Sequence, residues 1–263
     1  MRREDGGAAK PRARNARATP EGIMTRPLQG AVALVTGASR GIGAAVAVEL
    51  ARLGAQCVLT ARTQGGLEET DDAIRAAGGQ GATLLPLDLA RAKGEELDMI
   101  GPSIVHRFGR LDILVHAAGV LAKLTPVAHV MPRDFEEAVV VNIAACWRMI
   151  RTCDPPLRAA PAGRAVLLTD GVVAAPHAYW GLYGFGKAAG EHLGRAWAAE
   201  VASTRLRVNL ADPGPVATGL RGTAMPGENP ATLAQPADVA PAIAALCLPE
   251  ETRNGAVVRL RAR

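Results

Sequence analysis

The sequence predicts an α/β fold, a single doubly wound domain over residues 24–263 with a seven-stranded parallel sheet and helices on both faces. Two observations carry that reading. From residue 31 to residue 260, short apolar runs alternate with longer stretches of helical periodicity, the pattern of strands joined by crossover helices. The short runs are apolar throughout instead of alternating with polar residues, as strands buried on both faces must be. No linker or break in composition divides residues 25–263.

The elements follow in order. "AVALVTG" (31–37) is an apolar run closed by glycine and reads as the first strand. In "GIGAAVAVELARLG" (41–54), Ile42, Val46, Leu50 and Leu53 share one face and Gly54 follows, which gives an amphipathic helix with a C-terminal glycine. "AQCVLTAR" (55–62) is the second strand, "GLEETDDAIRAAGG" (66–79) the second helix and "ATLLPLDL" (82–89) the third strand. A helix at 93–108, a strand at 111–116, a long helix at 132–152 and a strand at 164–169 continue the pattern. A helix at 182–202, a strand at 205–210, a helix at 236–247 and a strand at 255–260 complete it.

Composition narrows the function. The chain is 49% hydrophobic but holds only three Trp, two Tyr and three Phe, so its core is built mainly from Ala, Val, Leu and Ile. The net charge of +5 is concentrated at the front: residues 1–23 carry six basic and three acidic side chains, leaving +2 for the rest. No basic stripe with interleaved aromatics follows, which argues against a nucleic-acid partner. Cys57, Cys146, Cys153 and Cys247 form no C-x-x-C pair and have no histidine at ligand spacing, so no metal site and a reduced, cytoplasmic compartment are expected. No apolar run reaches the ~18 residues needed to span a membrane. Residues 1–23 lack core-forming side chains and are expected to be a disordered basic extension. They contain no apolar segment of a secretory signal, and Met24 reads as a native start.

The first strand runs directly into Thr36-Gly37-Ala38-Ser39-Arg40-Gly41-Ile42-Gly43. Glycines there permit a tight turn and close backbone approach, and the following helix offers free N–H groups to a pyrophosphate. The strand–turn–helix context is what distinguishes a dinucleotide site from an ordinary tight turn. Further along, Tyr183 and Lys187 stand at i and i+4 and so share a helix face. A lysine so placed can lower a phenol's pKa by its charge. Thirteen residues before the tyrosine stands Asp170, whose carboxylate would oppose that effect.

Together these motifs resemble the short-chain dehydrogenase/reductase family over nearly all of residues 28–260. "TGASRGIG" is similar to the family's glycine turn, "LDL" (87–89) to its adenine-contacting aspartate, here Asp88, and "HAAG" (116–119) to its Asn-Asn-Ala-Gly segment. "VNIAA" contains Asn142, Tyr183 and Lys187 match the YxxxK pair, and "DPGPVAT" (212–218) resembles the Pro-Gly loop that embraces nicotinamide and ends on threonine. The resemblance implies a Rossmann-like fold and hydride transfer between a nicotinamide cofactor and a small carbonyl or alcohol. The cofactor-binding residues it implies are Gly37, Ser39, Arg40, Gly41, Ile42, Gly43, Arg62, Asp88, Ala117, Gly119, Tyr183, Lys187, Pro213, Gly214, Val216 and Thr218. Tyr183 would be the proton donor, Lys187 would bind the nicotinamide ribose, and Asn142 would help move protons to solvent. Ala61 occupies the usual acidic position after the second strand, with Arg62 next to it and Arg40 in the turn. Two arginines without an acid favour NADP(H) over NAD(H).

The family's serine is replaced by Asp170, and three readings stay open. Pteridine reductases of the same superfamily carry a similar Asp-Tyr-Lys pattern, in which the carboxyl group helps protonate a ring nitrogen; this chain lacks their aromatic after the fourth strand. Alternatively, Thr169 or a backbone group supplies the missing donor, or Asp170 itself is protonated. Or an ionised Asp170 weakens catalysis and leaves an NADP(H)-binding protein. His116 is expected to close the strand end beside the cofactor. His177, Tyr179 and Trp180 are candidate pocket residues. Residues 221–236 stand where the family keeps a substrate-covering lid, and "VVRLRAR" at the end lacks the family's frequent Gly-Gly. A homodimer or homotetramer is expected through the helices at 132–152 and 182–202.

Overall fold

The computed structural model describes residues 26–260. The expected extension over 1–23, Met24 and the last three residues lie outside the described residues. In chain order the elements are β1 (Val32–Thr36), α1 (Gly41–Arg52), β2 (Gln56–Ala61), α2 (Gln64–Ala76), β3 (Thr83–Pro86), α3 (Gly94–Asp98), α4 (Ile100–Phe108) and β4 (Ile113–His116). Then come α5 (Pro132–Ala138), a π-helical turn (Val139–Ala144), α6 (Ala145–Ala159), β5 (Arg164–Leu168), α7 (Gly181–Glu200), β6 (Arg207–Asp212), α8 (Gly219–Ala224), α9 (Pro236–Ala245) and β7 (Val257–Arg259).

The seven strands form one sheet in the order β3-β2-β1-β4-β5-β6-β7, and every pair is parallel. The alternation of a strand's side chains divides the core between the two faces. Ala33 and Val35 of β1 pack with Cys57, Leu59 and Val115 under α1 and α9. Val32 and Leu34 turn the other way, toward Ile104, Met149, Leu157 and Trp197 of α4, α6 and α7. Both neighbours along the strand are thus buried, which is why the strand sequences do not alternate. Each such aliphatic side chain contributes about 1.5–3 kcal/mol on full burial.

Where the chain departs from the sequence-based outline, a tertiary contact explains it. The helix expected over 93–108 is broken between α3 and α4. Thr152 of α6 reaches into the break: its hydroxyl donates to the Asp98 carbonyl at 2.8 Å and accepts from the Gly101 N–H at 2.9 Å. The helix expected over 132–152 is interrupted by the π-helical turn and runs on to Ala159. The 221–236 segment contains structure as well as loop: α8 begins inside the Thr218 cap, whose hydroxyl accepts from the Arg221 N–H at 3.1 Å. Among the described residues, no helix is long and apolar enough to cross a membrane.

The sheet order reverses between β1 and β4, and ligands of such sheets bind in the crevice at the carboxyl ends of the strands there. Thr36 and His116 are paired across that reversal. Their side chains are joined as well, Thr36 Oγ1 to His116 Nδ1 at 2.9 Å. The Thr36 hydroxyl also accepts from the Ala118 N–H at 3.1 Å.

Candidate active site

A cleft of about 1370 Å³ opens at the reversal, larger than the ~300–1,000 Å³ of an ordinary small-ligand pocket. One end is made of backbone. Gly37 and Gly41 take φ values of +66° and +60°, the left-handed region that glycine enters without steric cost. A Cβ on Gly43 would collide with the Gly37 carbonyl, and one on Gly37 would lie 2.8 Å from the Ala118 nitrogen. No side chain caps α1 and no acid stands in its first turn, so its leading N–H groups are left for a ligand. An anionic pyrophosphate fits this cradle.

The sequence-predicted cofactor residues line this one cleft. Gly37, Ser39, Arg40, Gly41, Ile42 and Gly43 surround the cradle, with Arg62 and Asp88 beside them. Arg40 and Arg62 are exposed, and among the described residues neither has an ion-pair partner. Ala117, Gly119, Pro213, Gly214, Val216 and Thr218 line the cleft too, with the Thr218 methyl 3.4 Å from where a Cβ on Gly41 would stand. Glu69 of α2 also reaches the cradle end, which local sequence did not signal.

The other end is made of side chains. Asp170, Tyr183 and Lys187 line it together. Tyr183 is only 6% exposed, and its hydroxyl donates to Asp170 Oδ2 at 3.3 Å. Asp170 Oδ1 accepts from the Val172 N–H at 2.9 Å, which fixes the carboxylate's orientation. Lys187 Nζ donates to the Leu168 carbonyl at 3.0 Å and lies 5.7 Å from the centre of the Tyr183 ring. The phenol pKa is raised, not lowered as the helical spacing suggests: burial comes first, followed by the charge of Asp170, its hydrogen bond and the charge of Asp212. Burial also holds Lys187 below the usual ammonium range, with Asp170 opposing that shift.

Two further expectations need correction. Thr169 does not supply a donor for substrate, because its hydroxyl donates to Glu191 on α7 at 3.1 Å. Of the three candidate pocket residues, only Trp180 lines the cleft. It packs edge-on against Tyr183 with ring centres 5.9 Å apart, while His177 and Tyr179 are exposed outside it. Asn142 is buried in the π-helical turn. Its side chain clamps Val120, accepting from that residue's N–H at 2.9 Å and donating to its carbonyl at 3.0 Å. It does not line the main cleft. Instead it borders a cavity of about 20 Å³ behind Lys187, shared with His116, Cys146 and Glu191 and large enough for one water. His116 is held neutral, its pKa pushed down to about 3 by burial and then by Lys187.

Sequence reading missed two neighbours of the reacting end. Asp212, at the end of β6, is buried; its Oδ1 accepts from the Gly214 N–H at 3.0 Å. Arg221 of α8 lines the cleft and is gripped by both oxygens of Glu228, at 2.5 and 2.8 Å. Asp212 stands inside the recognised Pro-Gly loop, but its approach to Tyr183 arises only when β6 lies beside β5.

A glycine cradle at the sheet reversal, continuous with a buried tyrosine, a lysine and a carboxylate, defines an α/β oxidoreductase that takes a nicotinamide dinucleotide. The chain belongs to the short-chain dehydrogenases, whose family model matches residues 31–229. It is 33% identical over 210 residues to the uncharacterized oxidoreductase YciK of Escherichia coli K12, covering 80% of this chain and 83% of that one. A Pseudomonas syringae protein described as a short chain dehydrogenase superposes with a TM-score of 0.87 at 35% identity, covering 90% of this chain and 97% of the other. A short chain dehydrogenase of Escherichia coli CFT073 complexed with NADPH superposes with a TM-score of 0.85 at 30% identity, covering 89% and 98%.

Proposed function

We propose that this protein is an NADP(H)-dependent oxidoreductase that transfers hydride between nicotinamide and a polarised C=O or C=N bond of a small substrate. The observation that carries the reading is the continuity of one cleft from the Gly37–Gly43 cradle to Tyr183 and Lys187. Arg40 and Arg62 beside the cradle, with Ala61 in place of an acid, support selection of a 2′-phosphate by two charged forks. The NADPH complex of a structural relative supports the same choice. Lys187 would hold the nicotinamide ribose, Thr218 and Gly214 would flank the ring, and Asp88 would contact adenine. The bound cofactor supplies the hydride. Tyr183 faces the substrate as acid and base. Asn142 acts indirectly, by fixing Val120 and bordering the water-sized cavity behind Lys187.

With carbonyl or alcohol substrates, Tyr183 gives a proton to the oxygen as hydride reaches the carbon. Asp170 favours C=N substrates as a second reading, because the position beside the phenol holds a carboxylate and Thr169 is turned away. The test is fluorescence titration with NADPH and NADH, followed by NADPH oxidation on ketones, 3-oxoacyl thioesters, dihydropterins and cyclic imines. Tight NADPH binding with turnover on any class supports the proposal. Tight binding with no turnover leaves a weakened dinucleotide-binding protein.

A homo-oligomer is part of the same proposal. Phe135 and Phe185 stack with ring centres 6.1 Å apart, and both are exposed with Val140 and Trp147 on the α5–α6 and α7 surface. Sedimentation of the protein and of Phe185→Glu tests it: the variant should dissociate.

A further inference from the structure

Resting on the reading that hydride transfer occurs at Tyr183, we propose that the preferred substrate carries a positive charge at the reacting bond, as a protonated imine held by Asp170 with Asp212 behind it. Three placements carry the inference. Asp170 is oriented by the Val172 N–H so that its other oxygen lies 3.3 Å from the phenol. Asp212 is a second carboxylate on the same side: a Cβ built on Gly171 would stand 3.3 Å from Asp212 Oδ2. It has a backbone donor on Oδ1 and only the exposed Arg259 at 3.9 Å from Oδ2. The nearby cations are directed elsewhere. Arg221 is engaged by Glu228, and Lys187 Nζ points to the Leu168 carbonyl. Both still feel the charge of Asp170, but the side-chain hydrogen bond on the phenol oxygen is to a carboxylate.

That arrangement suits one kind of chemistry. Reduction of a neutral carbonyl builds negative charge on oxygen, which needs donors and an acid. Here Thr169 is turned away, and burial first, then the carboxylates, favour the protonated phenol. A protonated imine asks for neither. Hydride adds to the carbon, the π electron pair moves onto nitrogen, and the positively charged nitrogen becomes a neutral amine with its original proton. No proton is taken from Tyr183. A carboxylate within hydrogen-bond distance of the N–H keeps the imine in its protonated, electrophilic form and orients it by a charge-assisted bond. Asp212 is not a member of the Asp-Tyr-Lys pattern; the folded chain adds it.

The test compares a five-membered cyclic imine, 2-methyl-1-pyrroline, with the similarly shaped neutral ketone 2-methylcyclopentanone, in wild type, Asp170→Asn and Asp212→Asn. The expected result is a kcat/KM for the imine at least ~10-fold above the ketone in wild type. Asp170→Asn should cut that ratio ~10-fold and Asp212→Asn less, as loss of a charged hydrogen bond and of a more distant charge implies. NADPH affinity should stay unchanged. A ratio near one, or one that Asp170→Asn leaves intact, overturns the proposal. A readout without turnover separates it from the hydride-transfer reading. Calorimetric titration of protonated N-methylpyrrolidine into the NADP⁺ complex should show binding to wild type and none to Asp170→Asn. If NADPH binds but neither substrate reacts, hydride transfer fails, and the ammonium titration alone decides whether the site recognises a cation. Equal heats in wild type and variant would sink the recognition claim.

Discussion

The two ends of the cleft are built from different materials. At the cradle, Gly37, Gly41 and Gly43 act through what they lack: backbone meets backbone at Gly37 and Gly43, Gly41 takes a left-handed turn, and the ligand would meet N–H groups. At the reacting end, Tyr183, Lys187, Asp170 and Asp212 act through what they carry, and they come from α7, β6 and the connection after β5. The first end is signalled by residue types within eight consecutive residues, although Gly37 and Gly43 also make room for the backbone and side chain of Ala117 and Ala118. The second depends on which carboxylate faces which hydroxyl, a matter of packing between distant segments. Damage at the cradle should therefore remove cofactor binding, while damage to the reacting groups other than Lys187, which would also hold the nicotinamide ribose, should remove turnover and largely spare binding.

Tyr183→Phe is the sharpest way to break that division. It deletes one oxygen from a buried ring and leaves the cradle untouched. Turnover of neutral carbonyls should fall by roughly 10²–10⁴-fold, the usual contribution of a positioned acid. The NADPH dissociation constant should hold within a few-fold. Steady-state kinetics with a parallel fluorescence titration measures both. If imine turnover falls as far as ketone turnover, the claim that the imine needs no proton from Tyr183 fails.

Gly43→Val attacks the opposite end. The branched side chain has no room beside the Gly37 carbonyl. Overpacking of this kind costs about 1–3 kcal/mol, and the turn must shift to relieve it. NADPH binding should weaken by about 100-fold, which equals roughly 2.7 kcal/mol, with a lower Tm in thermal unfolding. A variant that binds NADPH normally would show that the cradle is not the pyrophosphate site.

Arg40→Ala and Arg62→Ala test the cofactor choice more gently. Both side chains are exposed, so solvent and salt screen them. Each should cost about 10-fold in NADPH affinity, the scale of one charged hydrogen bond, and leave NADH affinity unchanged. Titrations at two ionic strengths check this, with the NADPH loss smaller at high salt. Equal effects on both cofactors would assign the arginines to the shared phosphates.

The same contrast explains what could be read in advance. Seven apolar runs and the glycine turn reveal the sheet and the cradle because their residue types are legible locally, even though Gly37 also answers to the distant Ala118. Tyr183 and Lys187 are visible as a helical pair, but the sign of the phenol's shift is not: it follows from burial and from Asp170 and Asp212. The break between α3 and α4 is set by Thr152, more than 50 residues away and so invisible in periodicity. Arg221 shows its role only through its grip on Glu228 across a turn. Asn142 can be picked out as a candidate, but its clamp on Val120 depends on the approach of the π-helical turn to the segment after β4.

His116 links the two ends and gives the smallest effect. It pairs with Thr36 at the cradle's strand and borders the cavity behind Lys187. Its folded pKa is depressed from 6.5 to about 3, so the folded state binds the neutral ring. The stability this contributes is present above pH 6.5 and is lost as the pH falls toward 3, because the unfolded chain takes up a proton that the folded one refuses. The facing groups, Lys187, Glu191, Cys146 and Asn142, are unchanged in His116→Asn, and an asparagine can keep a hydrogen bond to Thr36 without titrating. Thermal unfolding from pH 7 to pH 4 should show a shallower fall in Tm for His116→Asn than for wild type, with little change in NADPH affinity at pH 7. Parallel Tm curves would mean that acid sensitivity arises elsewhere. A large loss of NADPH binding would show that the Thr36–His116 contact shapes the cradle, and the line between the two ends would then have to be drawn on the far side of β4.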